Sequence, residues 1–172
     1  MDPFARLVKR LRTGRVRFVV IGVGGANYYA RSAGLVFTTL DRELFLPPDA
    51  GNLLRAWRAC RAEGLDLSSG DEPLGSPLDR FLAEQVVSRR ALVHALGEGL
   101  QVDLTLDMAG FEFEQVWPSR RLFRVERVTV PVASLEHIVK SKAAVGRPKD
   151  RLFLASHEDA LGVLLRRDRR RA

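Results

Sequence analysis

The sequence predicts an α/β chain in which a mixed sheet is flanked by helices that gather toward the C-terminus. Three observations predict it. Short apolar, β-branched runs such as Val16–Val23 and Val125–Val132 read as strands. Segments opening on a capping residue and carrying apolar side chains at helical spacing, such as Asp49–Glu63, read as helices. The order of the two, αβαβα, then ββ, then βαα, is not a continuing βα repeat. With 172 residues, 46% hydrophobic and 28% charged, the chain suffices for a compact domain with a buried core. The expected organisation is a core over residues 1–133 and a helical segment over 134–172 packed on it, ending in a basic tail.

Asp2-Pro3 caps a first helix to about Thr13, ended by Gly14. Val16–Val23 is a buried strand, Ala26–Ala33 a short helix closed by Gly34, and Val36–Leu46 a second strand stopped by Pro47-Pro48. Asp49 caps a helix that sets Leu53, Leu54, Trp57 and Cys60 on one face. Asp66–Pro77, rich in Ser, Gly, Pro and Asp, reads as a loop, and Leu78–Val87 as a helix. Ala91–Leu96 and Leu100–Asp107 form two strands across Gly97-Glu98-Gly99, with one helix from Leu78 to Leu96 as the alternative. Phe111–Trp117 is a helical turn and Val125–Val132 a strand. Ser134 caps a helix to Val145, and a final helix runs from Asp150 to about Arg167.

No apolar run approaches the roughly 20 residues of a membrane span. Met1–Arg6 lacks the apolar core of a signal peptide, so the expected location is cytoplasmic. A lone Cys60 forms no internal disulfide, and no Cys/His spacing suits zinc. The net charge of +7 is carried mostly by arginine, clustered at 6–17, 55–61, 120–127 and 166–171. Such patches concentrate polyanions, so RNA, DNA or a nucleotide is a candidate partner; a solvated surface is the plainer reading.

The chemistry-bearing residues are acids. In Leu40-Asp41-Arg42-Glu43-Leu44, strand alternation would put Asp41 and Glu43 on one face. Two carboxylates that close repel unless a cation sits between them, and their oxygens suit magnesium or manganese. In Val102–Asp107, alternation puts Val102, Leu104 and Leu106 on one face and Asp103, Thr105 and Asp107 on the other. A third carboxylate could thus join the pair, with mid-strand Asp103 favoured over Asp107. Three acids around two divalent ions suit in-line nucleotidyl transfer.

Gly24-Gly25, between strand and helix, would let backbone N–H groups approach a phosphate, or would simply serve a tight turn. Gly22-x-Gly24 followed by Asp41 also suggests a dinucleotide fingerprint, but Asn27 fills its third small-residue position. In the helix after Ser134, Lys142 falls on the stripe of Leu135, Ile138, Val139 and Val145. An inward lysine is costly unless it meets an anion, whether a bound phosphate, Asp150 or one of the acids above; otherwise it snorkels at the core edge.

Taken together, Gly24-Gly25, Thr39-Leu40-Asp41-Arg42-Glu43, Val102-Asp103-Leu104, Ser134-Leu135 and Lys142-Ala143-Ala144-Val145-Gly146-Arg147-Pro148-Lys149-Asp150 resemble the nucleotidyltransferase superfamily with the polymerase-β-like fold. The likeness is closest to small bacterial AbiEii-type toxins and spans roughly residues 16–165. It implies a nucleotidyltransferase-like fold and transfer of a nucleoside monophosphate from an NTP to a hydroxyl on RNA, protein or a small molecule. Asp41, Glu43 and Asp103 would be the Mg2+ or Mn2+ ligands and catalytic residues, Asp103 the base. Gly24, Gly25, Lys142 and Asp150 would hold the nucleotide or the site's geometry. An antitoxin-like protein or RNA would be the partner. The chain departs from the pattern at Glu43 (for Asp), Gly25 (for Ser), Phe153 (for Asp) and Arg42 (for an apolar residue). Those changes suit a divergent enzyme, or a silent domain that binds nucleotide, RNA or a partner through its basic surface.

Overall fold

The computed structural model describes residues 1–172. Helix α1 (Pro3–Thr13) starts where Asp2 accepts the Ala5 N–H, and buries Phe4, Leu7, Val8 and Leu11. Strand β1 (Val19–Ile21) runs directly into α2 (Gly22–Arg31). After a coil comes β2 (Glu43–Phe45), then α3 (Ala50–Ala62), capped by Asp49. A hairpin of β3 (Asp66–Ser69) and β4 (Glu72–Pro73) precedes α4 (Arg80–Arg89). Strands β5 (Val93–Gly97) and β6 (Leu100–Thr105) form a second hairpin. A turn of helix, α5 (Phe113–Val116), continues as a 3-10 turn over Trp117–Ser119. Strands β7 (Arg121–Val125) and β8 (Val128–Val132) complete the sheet. Three helices close the chain: α6 (Leu135–Val145), α7 (Pro148–Ser156) and α8 (Glu158–Arg170).

The eight strands form one mixed sheet in the order β4-β3-β5-β6-β2-β1-β8-β7. Strand β2 lies parallel to β6 and antiparallel to β1, and β1 lies parallel to β8. The core is one continuous cluster, with Phe18, Phe45, Trp57 and Phe113 among its largest fully buried side chains. On that cluster α1 packs against α3 and β8, while α2 packs against α6. Tyr29 fastens α2 to the end of β8 by donating its hydroxyl to the Ala133 carbonyl at 2.7 Å.

Several expectations are corrected. The second strand is confined to Glu43–Phe45, so Asp41 lies on coil before it and strand alternation does not place it. Helix α2 begins at Gly22 rather than Ala26, because β1 passes into it without a loop. The supposed loop over 66–77 carries β3 and β4, turning at Gly70 with φ +58°. The single strand over Val125–Val132 is two, joined by Glu126-Arg127 at φ +47° and +67°. That geometry belongs to a two-residue hairpin turn, normally signalled by Asn or Gly. The last helix breaks at His157, and the arginine-rich end is helical, with Asp168 held by Arg121 at 2.8 Å.

Candidate active site

The register of the sheet builds the site. Glu43 on β2 stands beside Asp103 on β6, and His94 on β5 stands opposite Asp103 from the other side. Paired residues share a face, so all three project to one side of the sheet. Asp41 arrives differently. The Asp103 N–H donates to the Arg42 carbonyl at 2.8 Å, extending the β2–β6 ladder by one residue and fixing Asp41 beside it. The segment is anchored further back at Phe37, whose N–H and carbonyl both bond the Asn27 side chain, at 2.6 and 2.8 Å. Phe37 itself is buried edge-on against Phe153.

Asp41, Glu43 and Asp103 line one cleft of about 740 Å³, within the usual range of ligand sites. Ile21 and Gly22 form its edge at the β1–α2 junction, and Lys142, Arg147 and Lys149 border it from the C-terminal helices. Burial raises the Glu43 carboxyl above the ordinary carboxylate range; Lys142 opposes this, Asp103 and Asp41 add to it, and Arg147 opposes it again. The lining thus sets an acidic group, Asp41, Glu43 and Asp103, against a basic one, Lys142, Arg147 and Lys149. Asp107, the other acid in the sequence, also borders the cleft but is taken by Arg90 at 3.1 Å.

The cationic wall is held by a buried acid. Asp150 is 1% exposed and accepts from Arg147 Nε at 2.7 Å and from Lys142 Nζ at 3.2 Å. Burial alone would raise the Asp150 carboxyl, but the Arg147 and Lys142 hydrogen bonds outweigh it and hold it below its ordinary value. Lys142 therefore points inward, 13% exposed, with Asp150 as its partner and the Phe153 ring 5.4 Å away. Phe153, where the resemblance would have another acid, supplies that ring face to the ammonium and packs on Phe37.

The glycines sort differently from the sequence reading. Gly24 and Gly25 are buried within the first turn of α2. A Cβ at Gly24 would meet the Asp41 carbonyl oxygen at 2.9 Å; at Gly25 it would meet Ile138 Cδ1 at 3.0 Å and the Val20 carbonyl at 3.1 Å. Their smallness serves close packing, and neither borders the cleft. The glycine that does is Gly22, at φ +69°, where a Cβ would stand 2.8 Å from Glu43 Oε2. Asn27, the residue at odds with a dinucleotide fingerprint, is the clamp on Phe37.

Sequence reasoning missed His94. Its Nδ1 lies 2.7 Å from Asp103 Oδ1, so the ring fixes one oxygen of that carboxylate. A signal was present: a two-residue Glu98-Gly99 turn pairs Gly97 with Leu100 and therefore His94 with Asp103. Thiol chemistry is disfavoured, since Cys60 is buried and burial pushes its thiol up to about 12. The donors suit a hard divalent cation, being carboxylate oxygens. No group of three Asp, Glu, His or Cys side chains is gathered closely enough to enclose an ion.

No family model matches the chain, and no curated protein matches it. Among solved structures it is similar to a protein from Thermotoga maritima described as a putative nucleotidyltransferase, at TM-score 0.56 and 14% identity, covering 91% of each chain. It is also similar to ANT(2")-Ia in complex with adenylyl-2"-tobramycin, at TM-score 0.48 and 14% identity over 98% of each chain. The class is thus a matter of fold: the mixed eight-stranded sheet flanked by eight helices is nucleotidyltransferase-like. No helix is long and apolar enough to cross a membrane.

Proposed function

We propose that the chain is a nucleotidyltransferase that moves a nucleoside monophosphate from an NTP to a hydroxyl acceptor. The observation carrying this reading is the convergence of Asp41, Glu43 and Asp103 on one cleft, faced by Lys142 and Arg147. Those three carboxylates would hold Mg2+ or Mn2+, whose preference is for oxygen donors. When bound, the ions neutralise the triphosphate and stabilise the departing pyrophosphate. Asp103 takes the proton of the acceptor hydroxyl, with His94 holding its other oxygen. The acceptor oxygen then bonds to the α-phosphorus as the bond to the bridging oxygen of pyrophosphate breaks. Lys142 and Arg147 place positive charge along the phosphates, and the uncapped start of α2 offers backbone N–H groups to them.

A finer placement, among AbiEii-type toxins in the cytoplasm with an antitoxin-like partner, rests on the resemblance of residues 134–150. One observation favours a second reading, a silent domain that only binds nucleotide: the acids are not gathered around a common point. Incubation with each α-labelled NTP, Mg2+ and cell extract separates the two. The transfer reading expects label on an acceptor, at least about 100-fold less in Asp41→Ala. Nucleotide binding without any labelled product overturns it.

A further inference from the structure

We infer that the groove between α1 and α3 is a docking site for the phosphodiester backbone of a nucleic acid. The groove, about 800 Å³, is bordered by Arg6, Lys9 and Arg10 on α1 and by Arg55 and Arg58 on α3, with Glu63 as its only acid. Spacings of three and four residues set each group on one helix face. Five cations against one carboxylate leave +4 here, more than half of the chain's +7. Elsewhere 23 basic residues face 20 acidic ones (28 less 5, 21 less 1), so the excess is local. Glu63 does not cancel the patch; it braces it. It accepts from Arg6 Nε at 3.3 Å and Arg10 Nε at 2.6 Å, orienting both guanidinium groups. Lys9 and Arg58 make no side-chain hydrogen bond or ion pair, and Arg55 makes only a long contact of 3.4 Å to Asn52.

Crowding unpaired cations in a concavity is unfavourable unless an anion enters it. The ligand is chain-like rather than a single phosphate, because Lys9 also borders an adjoining depression where Arg12 and Arg127 outnumber one acid, Glu126, extending the basic track. A lipid surface fits less well: Met1 is the one large exposed apolar side chain on the rim. The groove shares no residue with the carboxylate cleft, so its binding stands or falls apart from the transfer chemistry.

The test is fluorescence anisotropy of labelled 20-nucleotide single-stranded RNA and DNA across a salt series, without NTP. Each neutralised phosphate contributes about 0.7 to the slope of log affinity against log salt. The triple variant Lys9→Gln/Arg55→Gln/Arg58→Gln should lower that slope by about 2 and weaken binding at least about tenfold at 0.1 M salt. Arg169→Gln/Arg170→Gln/Arg171→Gln, with the same charge change on the exposed end of the chain, should leave both nearly unchanged. Equal binding of RNA and DNA identifies backbone recognition; binding of one alone identifies the source. The inference is overturned if wild type binds neither, if both triple variants lose affinity equally, or if the groove variant binds as before with its circular dichroism intact. It is also overturned if polyglutamate or anionic vesicles bind as tightly as the oligonucleotides.

Discussion

Replacing Asp150 with Leu tests the account of Lys142. The substitution removes a carboxylate that is 1% exposed and holds two cations, Lys142 at 3.2 Å and Arg147 at 2.7 Å. Breaking a fully buried pair by removing one partner costs about 3–5 kcal/mol, because the other charge is stranded. Arg147 is 53% exposed, so water takes over its share; Lys142, at 13%, carries most of the loss. The expected destabilisation therefore falls just below that range, at about 2–3 kcal/mol. Urea unfolding followed by tryptophan fluorescence reads it through buried Trp57 and half-buried Trp117. With a slope of about 2 kcal/mol/M, the midpoint should fall by about 1–1.5 M. Lys142→Met added to the Leu variant should recover at least about 1 kcal/mol, since no ammonium is then left without a partner. A midpoint within about 0.2 M of wild type, or a double variant no better than the single, refutes the reasoning.

Three other outcomes follow from the geometry. Because the folded Asp150 carboxyl sits below its unfolded value, its contribution is present above pH about 4 and is lost as pH falls through the folded value. Acid titration of stability should thus be steeper for wild type than for Asp150→Asn. Asn27→Ala strands the buried N–H and carbonyl of Phe37 and should cost about 2–4 kcal/mol in the same urea assay. His94→Leu should slow labelled transfer about 10–100-fold, while His94→Asn, which keeps a donor near the Nδ1 position, should restore most of the rate. Equal rates in the Leu and Asn variants would remove His94 from the site.

How much was legible depended on how local the cause was. Caps at Asp2, Asp49 and Ser134 bond to residues three positions away, so the sequence carries them in full. Alternation in Val102–Asp107 sorted Asp103 from the buried Val102, Leu104 and Leu106. The helical stripe turned Lys142 inward. Asp41 was different: two long-range contacts set it, the Arg42–Asp103 bond and the Asn27 clamp, and neither leaves a periodic trace. The hairpin at Glu126-Arg127 was hidden because two ordinary side chains adopt the left-handed region without a turn residue. Among the glycines, spacing singled out the pair at 24 and 25, but what a glycine faces, open space or protein, is set by distant segments such as Asp41 and Ile138.

Gly24 has a consequence beyond its own helix. Since only a hydrogen fits between it and the Asp41 carbonyl, that position acts as a template for the carboxylate-bearing strap. A single methyl group at Gly24, which does not border the cleft, would be read out as a misplaced carboxylate at Asp41, which does.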